Sequence, residues 1–471
     1  MINRKKRIIE SFDKLAMKRN HWIKKNNFFY QEDQKYMKFL IPKGLRVIEI
    51  GCGDGTLLNS LNPSYGLGID FSQNMIDVAS ENFKHLNFQC LDIEKDSIKP
   101  ANEKFDIVIL SDTLGYFDDC QSALNNILCL CAEDTRLIIA QHSWKWEPIL
   151  KLAEKLRLKM PSPDLNWFSQ EDVSSFLNLT GFELVKKEYK FLMPKNLFGF
   201  GFFVNAFFSH LPIIRQLNLR NYYVAKPINL SRQQEMSTSI VIPCRNEKGN
   251  IENAIKRIPN FTDIELIFVE GNSSDGTLQE INSMIKKYPS HDIKVYVQDG
   301  IGKGDAVRKG FSNARGEILM ILDADLTVPP EDLPKFYEAI VNGKGDFING
   351  SRLVYPMEDD AMRFLNFWAN RTFSIIFSWL LNQRITDTLC GTKVIKRSQY
   401  QQLERNRSYF GDFDPFGDFD LIFGAAKLNL KIAEIPIRYA AREYGTTQIS
   451  RFRHGILLLK MVIFAFRKLK L

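Results

Sequence analysis

The sequence contains no run of ~18 uninterrupted apolar residues, the length at which a helix crosses a bilayer. It also lacks the CxxC spacing of a metal site. Its seven cysteines, Cys52, Cys90, Cys120, Cys129, Cys131, Cys244 and Cys390, are scattered and odd in number, which argues against a disulfide framework and fits a reducing cytosol. The N-terminus MINRKKRIIE is basic but has no apolar h-region, so no export is expected and the expected location is cytoplasmic. There is no low-complexity tract and no internal repeat. The first half has no dense basic stripe with interleaved aromatics, so nucleic acid is not an expected partner.

What is present is the composition of a folded enzyme-sized chain. At 471 residues it exceeds what one core usually supports, and its 45% hydrophobic and 25% charged residues are ordinary for globular proteins. The formal charge of +8 points to an acidic partner such as a phosphorylated metabolite or an anionic lipid surface, although a mildly basic solvated surface explains the same number. Three segments approach membrane-like apolarity: Leu197 to Phe208, Phe364 to Leu381 and Gly455 to Phe466. The last is flanked by Arg451, Arg453 and His454 before it and by Arg467, Lys468 and Lys470 after it, as expected of a helix lying in a membrane interface, or of a core helix with a solvated end.

Beyond a charged, helix-prone stretch of about 40 residues, strand-like and helix-like runs alternate: LRVIEI, a helix from Thr56, YGLGID, a helix through Met75 to Asn82, FDIVILSD and RLIIAQH. A polar run from Asn229 is followed by a second series, TSIVIPCRNE, IELIFVEGNSSDGT, KVYVQDG, EILMILDADL and GDFINGSR. This alternation predicts two α/β domains, residues 1–228 and 237–471, joined by a linker at 229–236.

Each domain carries one signature at the end of a predicted strand. In EIGCGDG, three alternate glycines follow the strand, so backbone N–H groups can approach a ligand; the spacing differs from Gly-x-Gly-x-x-Gly, which disfavours a dinucleotide. Asp70 ends the next strand, where a carboxylate suits a ribose diol. In the second domain, Asp323-Ala324-Asp325 offers two carboxylates to one divalent cation with positions left for substrate phosphates. Alone that tripeptide is weak evidence.

The first signature resembles the class I S-adenosylmethionine-dependent methyltransferases, matching their Glu-x-Gly-x-Gly-x-Gly motif at Glu49, Gly51, Gly53 and Gly55, and continuing through Asp70, Asp92 and FDIVILSDTLGYFDD over residues 30 to 225. The resemblance implies a Rossmann-like fold with S-adenosylmethionine as cofactor. By the same implication the glycine loop holds the methionine end, Asp70 the ribose and the Asp92 region the adenine. His142 is a candidate base, with Asp112 and Tyr116 on the rim, and a hydroxyl on a sugar or lipid-linked glycan is the hypothesised methyl acceptor.

The second domain resembles the family 2 glycosyltransferases with a GT-A fold, on SIVIPCRNE, VEGNSSDGT, GKGDAV and LDADL in that order. Within that family it looks most like the polyprenyl-phosphate sugar transferases of the dolichyl-phosphate mannose synthase group, on GSR (Gly350 to Arg352), Arg363 with Asn370, DTLCGTK (Asp387 to Lys393), GDFD (Gly417 to Asp420) and IPIRYAAREYGTTQI. The resemblance implies inverting transfer from a nucleotide sugar held by Pro243, Asn246, Glu247, Glu270, Asp299, Lys303 and Asp323. It implies Mg2+ or Mn2+ on Asp323 and Asp325, and a polyprenyl phosphate or other phosphorylated acceptor met by Arg352, Arg363 and Arg442. Asp325 and Asp387 are the expected catalytic residues, Asp387 positioning or deprotonating the acceptor or else capping the following turn; Asp418 and Asp420 cap a helix or face the site. Gln448 stands where that group often has lysine, and Glu270-Gly271 replaces its acidic pair. The whole chain then reads as a bifunctional enzyme, cytoplasmic and peripheral on the inner face of the membrane. The alternative is a glycosyltransferase for a soluble phosphorylated acceptor with a non-catalytic first domain.

Overall fold

The computed structural model describes residues 2–96, 104–228, 235–352, 364–407, 419–437, 439–440, 442, 444 and 451–470; for residues 2–3, 364–371 and 451–458 the backbone alone is described. The chain divides into two compact units, Met1–Ile228 and Asn229–Leu471. Of the expected site residues, Arg363, Asp418 and Gln448 lie outside the described residues, as do the side chains of Asn370, Arg451, Arg453 and His454 and most of the expected linker.

In the first unit the strands are β1 (Arg46–Ile50), β2 (Tyr65–Asp70), β3 (Asn87–Cys90), β4 (Phe105–Ser111), β5 (Cys131–His142), β6 (Phe182–Lys190) and β7 (Arg220–Pro227), in the sheet order β3-β2-β1-β4-β5-β7-β6. The apolar runs read from the sequence become β1, β2, β4 and β5, all paired in parallel. Helices cover both sheet faces, which is why Val47, Ile48, Val108, Ile109 and Ile138 are buried without alternation. The last two strands, β6 and β7, pair antiparallel and extend the edge. Because the chain order reverses at β1, the crevice outside its carboxyl end falls at EIGCGDG.

The helix-prone N-terminus forms the helices Ile2–Leu15, Arg19–Lys25 and Asn27–Leu40. They pack against this unit rather than extending into solvent. Met37 and Leu40 are fully buried in a cluster with Val47, Leu58 and Tyr222.

The second unit has β8 (Thr238–Cys244), β9 (Ile264–Glu270), β10 (Asp292–Val297), β11 (Ile318–Ile321), β12 (Phe347–Ser351), β13 (Lys393–Lys396) and β14 (Ile432–Pro436), in the order β10-β9-β8-β11-β13-β12-β14. β10, β9, β8 and β11 are parallel; β13 runs antiparallel between β11 and β12. The four motifs of the second series therefore leave the same edge of one sheet. Both units are α/β, the first Rossmann-like and the second of GT-A type.

Candidate functional sites

In the first unit a cavity opens over the carboxyl end of β1. Its wall includes Glu49, Gly51, Gly53, Asp70, Asp112, Tyr116, His142 and Arg220. Gly53 has φ +54, and a Cβ there would sit 2.9 Å from the guanidinium carbon of Arg19, so a side chain would strain the turn and collide with the N-terminal arm. The Gly53 N–H donates to Asp70 Oδ2 and the Ser72 N–H to Asp70 Oδ1, both at 2.9 Å. Burial leaves the Asp70 carboxyl raised, with these two backbone bonds offsetting only part of the shift. Asp70 thus lines the cavity and also braces the glycine turn, a role the sequence reading did not include.

Glu49 is 2% exposed, and its Oε2 has no hydrogen-bond partner. Burial drives its carboxyl up to about 8, outweighing the pull of Arg19. A buried carboxyl with one oxygen unmet, beside a turn that presents backbone rather than side chain, is the donor set of a site built for a polar ligand. These residues fit S-adenosylmethionine, with Phe71, Met75 and Trp167 adding apolar wall. Asp92 is placed differently from the expectation. It is absent from the cavity wall, and its carboxylate pairs with Lys5 at 3.1 Å and Lys95 at 3.7 Å. Gly55 also lies off the wall, where a Cβ would press on Phe88.

The far side of the cavity carries a charged network. His142 Nδ1 lies 3.0 Å from Asp112 Oδ1, Arg220 Nη1 lies 2.5 Å from the same oxygen, and Arg220 Nε lies 2.8 Å from Asp33 Oδ1. Phe29 stacks on His142 with centroids 5.6 Å apart. The Asp112 side chain lines the cavity and is 42% exposed. Burial raises its carboxyl, but the Arg220 guanidinium and His142 more than offset this, holding it well below the usual carboxylate range. Asp33, Arg19 and Arg220 were not expected in the site. The N-terminal arm supplies the first two, and no local motif marks them.

In the second unit, the turns after β8 and β9 lock together. Asn246 Oδ1 accepts from the Ser274 N–H at 2.9 Å, the Asn246 N–H donates to Ser273 Oγ at 2.9 Å, and the Glu247 N–H donates to Thr277 Oγ1 at 3.0 Å. Glu270 accepts from the N–H groups of Ser273 at 2.5 Å and Asn272 at 3.1 Å, so it braces its own turn. Pro243 lies within β8 beside these turns. Asp299 is largely exposed and pairs with Lys309 at 2.7 Å.

Just beyond β11, Asp323 pairs with Lys303 at 2.6 Å, and Asp325 Oδ2 with Arg442 Nη2 at 2.6 Å. Arg442 also reaches Glu247 Oε1 at 3.2 Å. Burial raises the Asp323 carboxyl, but Lys303, with Lys393 and Arg352 behind it, leaves it lowered. A Cβ on Gly391 would lie 1.7 Å from Asp323 Oδ2, so only glycine permits this approach of the DTLCGTK loop. No group of three or more His, Cys, Asp or Glu among the described residues is disposed to hold a metal. The Asp323 and Asp325 pair presents oxygen donors alone, which fits a hard cation such as Mg2+ or Mn2+.

Asp387 is fully buried. Its Oδ2 meets Arg352 Nε at 2.6 Å and its Oδ1 meets Nη2 at 2.8 Å, while the Leu389 N–H donates to Oδ1 at 3.0 Å. Both oxygens are engaged in a fork-to-fork pair, the geometry of a carboxylate that orients a guanidinium. Glu434, which the sequence reading passed over, accepts from the Thr386 and Asp387 N–H groups and fixes the same loop. Asp420 pairs with Arg407 at 3.2 Å.

Comparison with known proteins finds one family match in each unit. Residues 41–185 match the family described as methyltransferase domain, and residues 239–403 match glycosyl transferase family 2. The chain is similar to dolichol-phosphate mannosyltransferase of Pyrococcus furiosus, 38% identical over 122 residues covering 25% of this chain and 34% of that protein. It is also similar to undecaprenyl-phosphate 4-deoxy-4-formamido-L-arabinose transferase of Edwardsiella ictaluri, 23% identical over 215 residues covering 45% of this chain and 62% of that protein. The matches thus span about a third to under two thirds of these relatives. Among solved structures, a methyltransferase of Thermotoga maritima aligns with 46% of this chain and 99% of its own at 18% identity and a TM-score of 0.38.

Proposed function

We propose that this chain, a methyltransferase domain followed by a family 2 glycosyltransferase domain, performs two group transfers on lipid-linked glycan intermediates. The second domain would move a sugar from a nucleotide donor to a polyprenyl phosphate, and the first would methylate a hydroxyl with S-adenosylmethionine. The observation that carries the reading of the second site is the pairing of each expected metal carboxylate with a cation, Asp323 with Lys303 and Asp325 with Arg442. A divalent ion bound to the two aspartates would offset charge on the leaving diphosphate. Lys303 and Arg442 would then be released from the carboxylates to face phosphate oxygens, so the site keeps its charge balance whether empty or loaded.

A phosphate-monoester acceptor is already an anion at neutral pH and needs cations more than a base. Arg352, oriented by Asp387, supplies one, so we assign Asp387 to positioning that arginine rather than to proton removal. Membrane contact through this domain rests on two helices, Phe364–Leu381 and Arg451–Leu469. They pack through stacked Trp379 and Phe466 and leave Ile375, Leu459 and Ile463 exposed. Among the described residues no helix is long and apolar enough to cross a membrane.

In the first domain, bound S-adenosylmethionine supplies an electrophilic methyl group. His142 lines the cavity with Nδ1 toward Asp112, so with Nδ1 donating, Nε2 is the nitrogen left to take a proton from a hydroxyl acceptor. Incubating the full chain with a panel of nucleotide sugars, Mn2+ and undecaprenyl phosphate tests the sugar transfer. A lipid product one glycosyl unit heavier supports the reading, and transfer only to soluble phosphorylated acceptors overturns it.

A further inference from the structure

Most of the large apolar side chains exposed among the described residues belong to two segments of the first unit, residues 144–158 and 197–217. The helix Glu147–Lys155 turns Ile149 and Leu152 to solvent, each more than half exposed. The second segment contains a short helix Phe200–Phe203 continued by a π-helical turn Val204–Phe208, with Phe198 fully exposed and Ile213 87% exposed. Polar bonds beneath the rings fasten it: buried Asn205 bonds the Met193 backbone through both Oδ1 and Nδ2, and Asn218 Nδ2 donates to the Ser209 carbonyl at 2.8 Å. The phenyl rings of Phe203 and Phe207 contact each other at 5.1 Å, outside this anchor.

The two segments lie side by side. At one end Trp146 Nε1 donates to the Leu217 carbonyl at 2.8 Å; at the other, Lys25 Nζ donates to the Arg157 carbonyl at 2.6 Å and Lys195 Nζ to the Lys25 carbonyl at 2.9 Å. Residues 195–217 contain no Asp or Glu, and the two acids in 144–159, Glu147 and Glu154, are ion-paired with Lys151 and Lys159. Lys145, Lys155, Arg157, Lys195 and Arg215 therefore leave the face positively charged. Leu158 is exposed on the face, and the next residue, Lys159, already lines the cavity over Gly53.

We infer that this aromatic, cationic face seats the first unit in the interface of an anionic bilayer, so that its cavity takes a methyl acceptor presented by the membrane. An apolar surface of this extent is rare on a protein that meets only water, and its composition of Phe, Trp and Leu bordered by Lys and Arg is that of an in-plane interfacial element. Charge complementarity selects an anionic leaflet as the occupant over an acid-free protein partner. The acceptor class rests on reading the cavity as a methyl-transfer site; the docking does not.

The test is co-sedimentation of the full chain with vesicles of phosphatidylcholine containing phosphatidylglycerol. The double variant Phe198→Ser/Ile213→Ser removes two side chains that the fold does not bury, and should lower the partition coefficient at least about tenfold while S-adenosylhomocysteine binding stays unchanged. The variant Leu459→Ser/Ile463→Ser, on the C-terminal helix, measures docking through the second unit independently. Wild-type sedimentation that survives Phe198→Ser/Ile213→Ser, or that is absent altogether, overturns the inference. Loss with that variant alone upholds it whatever the second unit does.

Discussion

Arg442 donates to Asp325 across 2.6 Å, and the same guanidinium spans to Glu247 at 3.2 Å. A strand-end carboxylate expected to hold a metal is thus tied to an arginine expected to meet phosphate. If the pair is a resting state that the donor complex opens, Arg442→Ala should let Mn2+ alone bind more tightly, because Asp325 loses its competitor. The same change should cut sugar transfer by about 100-fold or more by removing a phosphate contact. Titration of Mn2+ by electron paramagnetic resonance with parallel rate measurements checks both directions.

Asp387 and Arg352 form a buried bidentate pair. Replacing Asp387 with Asn leaves a buried guanidinium without its counter-charge, which should destabilise the second unit by roughly 3–5 kcal/mol. If Asp387 only positions Arg352, residual activity at low temperature keeps the wild-type pH profile and shows a raised acceptor KM. A lost alkaline limb in the pH–rate profile would return Asp387 to the role of base.

Glu49 predicts an unusual pH response. Its carboxyl stands at about 8 in the folded protein against 4.5 for an ordinary glutamate, so the folded state binds the extra proton between those values. Stability contributed by this group is therefore complete below about pH 4.5 and falls as pH rises toward 8. The thermal transition that S-adenosylhomocysteine shifts should drop in temperature across that window in wild type, and Glu49→Gln should flatten the dependence. An unchanged slope in Glu49→Gln would assign the pH response to another group.

His142→Ala should lower methyl transfer by roughly 100-fold to 10,000-fold while leaving cofactor affinity near wild type, if His142 takes the acceptor proton. Asp112→Asn should lower it too, but that variant also disturbs Arg220 and Asp33. A His142→Ala enzyme with full methyl transfer at neutral pH would show that alignment alone suffices.

Much of this arrangement was legible because strand-end chemistry is local. EIGCGDG, CRNE and DAD each lie where an apolar run ends, so period and glycine content placed them at the carboxyl edges of β1, β8 and β11. What the sequence concealed depends on distant chain meeting. Asp33 and Arg220 bond across the first unit, and nothing near either residue marks the partner. Asp92 matched a family position, yet Lys5 from the N-terminal arm claims its carboxylate. Asp70 accepts the Gly53 N–H of the glycine turn and the Ser72 N–H of its own turn, and Glu270 accepts two N–H groups of its own turn, bracing roles that the sequence alone does not reveal. The aromatic run from Leu197 was visible as an apolar segment, while its exposure was not.

The central claim, two independent transferase sites on one chain, is tested most directly by mass analysis of lipid products from three proteins given nucleotide sugar, Mn2+, S-adenosylmethionine and undecaprenyl phosphate. Wild type should add both a sugar and a methyl group. Asp325→Ala should lose the sugar while still binding S-adenosylmethionine, and Gly53→Val, whose branched side chain blocks the turn beside Arg19, should add the sugar without the methyl. Full sugar transfer by Asp325→Ala, or methylation surviving Gly53→Val, would contradict the account.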